Sequence, residues 1–187
     1  MRIAAEWQSL QERCPDSTPF QTWEWNSLWV KHFHKRKQLR VLLFRCEKTN
    51  ALCGIAPLYI DWHRGSPIKS LKWLGTGVSD YLGLIALPQE MEAVTHAFYH
   101  YLSHTYRHWH ITDLQQLPPC ASLVQIKPPL YLESQYIACE PCPKIALPET
   151  WESLITSLGK KMRSNLGYYD RLIRRTFTRV EFSLADA

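Results

Sequence analysis

One nine-residue segment combines the residue types that could bind and activate a small polar substrate. It reads Trp73-Leu74-Gly75-Thr76-Gly77-Val78-Ser79-Asp80-Tyr81. Its two glycines allow positive φ angles and close approach of a ligand, and exposed amides there could hold an anion or a carbonyl oxygen. Asp80 and Tyr81 add a carboxylate and a phenol, which can bind an amine or pass a proton. The alternative is a bent strand in which Asp80 caps a turn.

We predict catalytic roles for Asp80 and Tyr81 and substrate binding by the residues that precede them. These substrate-binding candidates are Trp73, Gly75, Thr76, Gly77 and Ser79. Trp23 and Glu24 join them because they open a predicted helix and are placed to face a groove. The glycine pair is not a phosphate loop, since it lacks the lysine of a P-loop and the third glycine of a dinucleotide-binding loop.

A second candidate site is the basic arc of a helix predicted over residues 151–177. Residues 160–179 include seven basic side chains and one acidic one, whereas the net charge of the whole protein is +5. Nucleic acid is therefore not expected as a partner, because the rest of the chain is not basic. The anion-binding candidates, near the helix start where the dipole also favours an anion, are Lys160, Lys161, Arg163 and Asn165. A phosphate-bearing ligand, an acidic partner and a solvated face all stay open.

The six cysteines and eight histidines predict no metal site. Cys139 and Cys142 have the C-x-x-C spacing, but no second pair lies at zinc-finger distance. Four histidines recur every four residues from His96 to His108, without the glutamate of a zincin helix. We expect reduced structural thiols, a solvated histidine face and no bound metal.

The elements that must position these residues centre on a sheet over residues 39–87. Short apolar runs alternate there with turn residues and four-residue polar links, which predicts three or four strands of a largely antiparallel sheet. Thr22 is the predicted N-cap of a helix that continues to Phe33. This helix turns a largely aromatic stripe to the core, made of Trp25, Leu28, Trp29, His32 and Phe33. Further predicted elements are helices over residues 7–14, 89–106 and 118–124 and strands over residues 109–114, 130–139 and 179–183.

The last predicted helix is amphipathic. Apolar residues recur at steps of three and four from Leu154 to Phe177, opposite the basic arc. Gly159 and Gly167 are the positions where this helix would bend or break. We expect Ile173 and Phe177 to be markedly more exposed than Leu154 and Leu158 and to promote self-association.

The composition is typical of a globular protein. With 45% hydrophobic and 21% charged residues, a chain of 187 residues can bury a core. No stretch approaches the ~20 apolar residues of a membrane span. No apolar signal region follows Met1, so a cytoplasmic location is expected.

Five motifs occur in order along nearly the whole chain. They are Pro19-Phe20-Gln21-Thr22-x-Glu24-Trp25, Gly54-Ile55-Ala56-Pro57-Leu58-Tyr59, Leu74-Gly75-Thr76-Gly77-Val78-Ser79-Asp80-Tyr81, Cys142-Pro143 and Leu158-Gly159-Lys160-Lys161-Met162-Arg163-Ser164-Asn165-Leu166. Together they resemble the bacterial GNAT-superfamily acyltransferases labelled cellulose-biosynthesis (CelD-like) proteins. These are similar in turn to the Fem-type aminoacyl transferases of cell-wall synthesis, which have two GNAT-like folds in tandem.

The resemblance implies an α+β fold, with a GNAT-like mixed or antiparallel central sheet flanked by helices and a C-terminal basic helical arm. Residues 1–148 would be a first GNAT-like domain, and residues 149–187 the helical start of a second one that is otherwise missing. The family's acyl-CoA pyrophosphate loop, Arg/Gln-x-x-Gly-x-Gly/Ala, has no match in the 187 residues. Acyl-CoA (acetyl-CoA) would therefore be bound mainly by the missing domain.

The activity that the resemblance implies is transfer of an acyl group from acyl-CoA to an amine. The acceptor would be a small molecule or a saccharide, such as a polysaccharide or cell-envelope precursor, and its amine would attack the thioester directly. Asp80 and Tyr81 would lie on the acceptor side. The alternative is a non-catalytic acceptor-binding or interaction module that works only with a separate catalytic domain.

Overall fold

A computed structural model describes residues 2–33, 37–62, 66–104, 108–139, 141–143 and 145–181. The chain divides into two compact units, Met1–Cys139 and Glu140–Ala187. This division lies N-terminal to the domain boundary that the sequence placed after residue 148.

The first unit is built on a mixed sheet. Its strands are β1 (Gln38–Arg45), β2 (Leu52–Trp62), β3 (Lys69–Trp73), β4 (Ile85–Ala86) and β5 (Ile111–Thr112). Their order is β1-β2-β3-β5, with β4 paired to β2. The pairs β1–β2, β2–β3 and β2–β4 are antiparallel, as the alternating pattern predicts, whereas β5 runs parallel to β3.

Helices flank this sheet, so the fold is α+β, as predicted. Those of the first unit, within the described residues, are α1 (Arg2–Glu12), α2 (Trp23–Phe33), α3 (Met91–His104) and α4 (Ser122–Gln125). Thr22 caps α2 as the sequence indicates, because its Oγ1 accepts a hydrogen bond from the backbone N–H of Trp25 at 3.2 Å.

The core lies on both faces of the sheet. Ile55 and Ala56, neighbours in β2 whose side chains point to opposite faces, are both inaccessible to solvent. On one face, Trp73 stacks on Phe98 of α3 with 5.9 Å between the ring centroids. On the other face, Ile55 packs with Trp7 of α1. Because both faces are covered, the loop that follows β3 starts from a rigid support.

Two predicted features of this unit are wrong. Residues 130–139 form no strand: they are irregular, and Leu130 and Ile137 are exposed. Pro128 and Pro129 precede the segment, and β5, at the end of the sheet order, spans only two residues and offers little edge for pairing.

The second wrong feature is the aromatic stripe of α2, which was predicted to be buried but is only partly covered by the sheet. Trp29 is buried against Tyr59, with 4.9 Å between the ring centroids. Leu28 and Phe33, which the helical spacing assigned to the same buried face, are exposed. The spacing identifies the side of the helix that faces the sheet but not how far the sheet extends.

The second unit contains α5 (Trp151–Ser157) and α6 (Lys160–Thr176). The single predicted helix is interrupted at Leu158 and Gly159, whose extended ψ angles are 145° and 153°, while α6 continues through Gly167. Leu154 and Leu158 are half-buried, whereas Ile173 and Phe177 are 39% and 60% exposed, so the order of exposure is as predicted and the difference is clear at Phe177.

The end of this unit differs from the sequence prediction. Residues 179–181, the start of the predicted strand, are irregular, and residues 182 and 183 lie outside the described residues. None of the helices in the described part of the chain is long and apolar enough to cross a bilayer.

Candidate functional site

The Trp73–Tyr81 segment leaves the sheet at the end of β3 and forms two successive turns. The backbone N–H of Thr76 donates to the carbonyl of Trp73 at 3.2 Å, and that of Val78 donates to Gly75 at 3.1 Å. Gly75 and Gly77 both have a φ of +92°, which L side chains rarely adopt. The two glycines therefore make this path possible; residues 74–81 are called the glycine loop below.

Ser79 anchors the middle of the glycine loop to α2. Its side chain is buried, and its Oγ accepts a hydrogen bond from the indole Nε1–H of Trp25 at 2.8 Å. Gly75 packs against the same hydroxyl so closely that a Cβ there would lie 2.5 Å from Ser79 Oγ. Ser79 therefore holds the loop in place and is not displayed to a ligand.

The far end of the loop is anchored through two residues with unusual backbone angles. Tyr81 has a φ of +54° and Gln116 a φ of +57°. The Tyr81 carbonyl accepts from Thr18 Oγ1 at 3.3 Å, and the next amide, Leu82 N–H, donates to the Gln116 carbonyl at 2.9 Å. Such strained residues cluster at functional sites, where the surrounding structure must hold them.

Asp80 lies between these two anchors and is exposed. Within the described residues its carboxylate makes no hydrogen bond or ion pair, so the interpretation as a turn cap has no support. The phenol of Tyr81 is half-buried. The loop thus presents one carboxylate on a backbone that is fixed on both sides, which suits it to bind a cationic group.

The other predicted substrate-binding residues are placed differently. Trp73 is buried beneath Phe98, and Thr76 Oγ1 donates to the Trp73 carbonyl at 2.8 Å. Trp23 packs edge-on against Trp7 with 5.7 Å between the ring centroids. Glu24 accepts a hydrogen bond from Gln8 Nε2 on α1. Trp23 and Glu24 therefore contact α1, and neither is brought to the glycine loop by the contacts described here.

Trp25 contacts the loop instead, although sequence reasoning placed it in the core stripe of α2. Its ring packs edge-on against Phe20 at 5.1 Å, which directs the indole N–H toward Ser79. The one available signal was chemical: a partly buried tryptophan usually finds an acceptor for its N–H.

The first residues of the glycine loop belong to a segment that nearly matches the acyl-CoA pyrophosphate-loop pattern, Arg/Gln-x-x-Gly-x-Gly/Ala. Lys72-x-x-Gly75-x-Gly77 differs from that pattern only in its first residue. However, Lys72 Nζ lies 3.3 Å from Asp113 Oδ2, and the loop leads to β4, so no helix N-terminus supplies its dipole to a phosphate. The described residues therefore do not fit the pyrophosphate of acyl-CoA at this position.

A groove of about 950 Å³ lies beside β5, and no residue of the glycine loop lines it. Its lining includes Tyr99, Leu102, Trp109, His110, Leu123 and Tyr136. The hydroxyls of Tyr99 and Tyr136 both lie within hydrogen-bond distance of the Leu123 carbonyl, at 3.1 and 2.9 Å, and burial raises the pKa of Tyr99. This groove could not be predicted from the sequence, because one of its walls is the segment that was predicted as a strand.

The predicted anion-binding residues lie in the first two turns of α6 and are exposed. They are Lys160, Lys161, Arg163 and Asn165. Arg163 Nη1 donates to the carbonyls of Thr156 and Leu158 at 3.0 and 2.6 Å, so it satisfies the last turn of α5. Lys160 and Lys161 are the more available cations for an anion.

The two cysteines with the C-x-x-C spacing, Cys139 and Cys142, are exposed free thiols. In the part of the chain that the structure describes, no three histidine, cysteine or acidic side chains converge as a metal cluster would require.

Comparisons of this chain with protein-family models, with curated proteins and with solved structures found no match. The functional argument therefore rests on the residues and their geometry. In that geometry, Asp80 on the anchored glycine loop is the group best placed to meet a ligand.

Proposed function

We propose that this chain is a GNAT-type N-acyltransferase, or its N-terminal half, and that the glycine loop binds the amine of the acceptor. The acyl group would come from acyl-CoA, and the acceptor would be a polysaccharide or cell-envelope precursor. The observation that carries the proposal is the exposed Asp80 carboxylate, held between the Trp25–Ser79 and Thr18–Tyr81 hydrogen bonds.

In this proposal Asp80 first binds the acceptor as an ammonium ion. The ammonium ion then loses one proton to water, and the resulting neutral amine attacks the thioester carbonyl. A C–N bond forms, and the C–S bond breaks to release the CoA thiolate. The proton lost by the amine passes to Asp80 or, through the phenol of Tyr81, to water. Backbone N–H groups must stabilise the oxyanion of the tetrahedral intermediate.

The binding of acyl-CoA is assigned to a second domain and not to the described residues. The support for this division is local: Lys72 is paired with Asp113, and the glycine loop leads to β4 and not directly to a helix. The same observation favours the second candidate function, a non-catalytic acceptor-binding module that needs a separate catalytic domain.

The domain proposal follows the same reasoning. Residues 1–148 would form the first GNAT-like domain, and residues 149–187 the helical start of a second. The exposed apolar side chains of Ile173 and Phe177 support self-association through α6 when nothing else covers them.

Calorimetric titration with glucosamine tests the proposal, with N-acetylglucosamine as the ligand that lacks the amine. Asp80→Asn should weaken glucosamine binding about fivefold, since an exposed ion pair is worth up to about 1 kcal/mol. The matched control is Glu47→Gln, which removes one exposed negative charge in the β1–β2 turn. Equal affinities of the two variants would overturn the proposal.

A second measurement distinguishes the two candidate functions. Radiolabelled acetyl-CoA is added to the glucosamine-bound protein, and label on the sugar is counted. Label that depends on Asp80 supports an acyltransferase that is active by itself. Binding without transfer of label supports a chain that binds the acceptor and needs a separate catalytic domain.

A further inference from the structure

The sheet of the first unit has two edges that differ in how they are protected against pairing with another strand. One edge is β5, which spans only two residues and therefore offers little backbone for pairing. The other edge is β1, which spans eight residues and pairs only with β2 among the described strands. It contains no proline, and the one irregularity of its pairing lies at its end, between Phe44 and Arg45. The long edge therefore has neither a proline nor a central bulge to block a further strand.

The pairing with β2 determines which backbone groups of β1 point away from the sheet. Val41 lies opposite Pro57, which has no N–H and whose carbonyl accepts from the N–H of Leu74 at 2.8 Å, on the β3 side. Because the N–H and C=O of one residue in an antiparallel strand point to the same side, Val41 and Pro57 are a pair without hydrogen bonds. The even-numbered residues of β1 therefore bond to β2, and the odd-numbered ones turn their N–H and C=O outward. The outward residues are Leu39, Val41, Leu43 and Arg45.

The side chains of this outward row are mostly apolar and partly exposed. Val41 and Leu43 are 36% and 39% exposed, and they lie on the same face of the sheet as Leu39. The only charged member is Arg45 at the end of the row, whose guanidinium lies 2.6 Å from the Glu6 carboxylate of α1. Outward backbone groups beside exposed apolar side chains are a template for another strand.

The outward row is complementary to a second copy of itself. Two β1 strands related by a two-fold axis run antiparallel, and their outward groups can bond only if odd-numbered residues face odd-numbered residues. With the axis at Leu42, Val41 faces Leu43 of the second copy and Leu39 faces the apolar stem of Arg45. Each of these pairs occurs twice, so all four outward residues of both copies are paired.

Other registers of the same strand pair are less favourable. With the axis at Val41, one hydrogen-bonded pair is lost and Lys37 faces Arg45 of the second copy. With the axis at Arg40, the two copies of Arg40 face each other. Like charges directly opposite destabilise a sheet. With the axis at Leu43, the ladder becomes shorter. The register centred on Leu42 is thus the one that pairs every outward residue and brings no like charges together.

We propose that this chain forms a two-fold symmetric dimer through β1, in which the sheets of two copies join edge to edge. This inference is independent of the proposed acyl transfer. It concerns a different surface from the self-association through α6, and the two can be measured separately.

Sedimentation velocity of the full chain carrying Phe177→Glu tests the dimer, because that substitution removes the apolar side chain proposed to associate through α6. We expect a dimer whose fraction rises with protein concentration. Val41→Lys in this background should raise its dissociation constant by about tenfold or more, since a charge then faces Leu43 on both sides of the axis. The matched control is Ile111→Lys, which places the same charge at an exposed β-branched residue of the short edge. This control should leave the dissociation constant unchanged.

A second substitution tests the register. Leu43→Glu combined with Val41→Lys in one chain places a lysine opposite a glutamate twice when the axis lies at Leu42. Opposite charges facing each other stabilise a sheet, so the double variant should recover most of the affinity that Val41→Lys loses. If the axis lay at Val41, the two lysines would face each other and no recovery would follow.

Three results would overturn the inference. They are a chain with Phe177→Glu that stays monomeric at every concentration, an equal loss of dimer in Val41→Lys and Ile111→Lys, and a double variant that recovers nothing. The substituted side chains are exposed, so the variants should fold, and circular dichroism checks that they do.

Discussion

Alanine at the two glycines of the loop separates backbone strain from packing against Ser79. Gly75 and Gly77 share a φ of +92°, so Gly75→Ala and Gly77→Ala impose the same kind of backbone strain, about 1–2 kcal/mol. A Cβ at Gly77 meets nothing within 4 Å, whereas one at Gly75 would lie 2.5 Å from Ser79 Oγ. Only Gly75→Ala must therefore displace Ser79 and its hydrogen bond to Trp25.

The extra cost of Gly75→Ala is expected to be about 2 kcal/mol, from overpacking of about 1–3 kcal/mol and a lost hydrogen bond of about 1 kcal/mol, partly relieved by relaxation. Urea unfolding followed by tryptophan fluorescence measures the free energy of unfolding of both variants. Ser79→Ala in the Gly75→Ala background removes the clashing oxygen and should recover part of the loss. If the two glycine variants differ by less than about 0.5 kcal/mol, the loop is not packed as described.

Three further predictions concern other parts of the chain. Trp25→Phe keeps the ring on Phe20 but removes the N–H donor, so it should cost about 1 kcal/mol and speed amide exchange of the glycine loop; Trp23→Phe, the control, should leave that exchange unchanged. Burial raises the pKa of Tyr59 from 10.0 to about 12, so only the folded state keeps this proton above pH 10. The free energy of unfolding should therefore fall as the pH rises from 10 to 12, by up to about 1.4 kcal/mol per pH unit, and fall less steeply in Tyr59→Phe. Phe177→Glu should shift the chain toward monomer in sedimentation velocity, whereas Phe33→Glu, at an exposed phenylalanine of the first unit, should not.

The sequence predicted correctly those helices and strands that are determined by residues close together in the chain. Alternation and polar links identify β1, β2 and β3, and the hydroxyl of Thr22 identifies the start of α2. The predicted strand over residues 130–139 failed because a strand also needs a neighbour to pair with, and no property of the segment itself reveals one.

In the glycine loop, too, some features could be predicted from residue types, whereas others depend on contacts between residues far apart in the chain. Its glycines and its exposed aspartate could be identified from residue types, because positive φ angles and free carboxylates have a strong chemical signature. Its anchoring by Trp25 could not, since that contact joins residues 54 positions apart. Trp23 and Glu24 were chosen for their place at a helix start, yet the packing of α1 decides what that helix start faces.

The most direct test of the account is to map where an amine acceptor binds. Amide NMR signals of the full chain are followed during titration with glucosamine and, separately, with N-acetylglucosamine. The account predicts that glucosamine shifts the signals of residues 75–81, that N-acetylglucosamine does not, and that Asp80→Asn moves the response to about fivefold higher glucosamine concentrations. Shifts confined to the groove beside β5, or a response in the glycine loop that Asp80→Asn leaves intact, would contradict it.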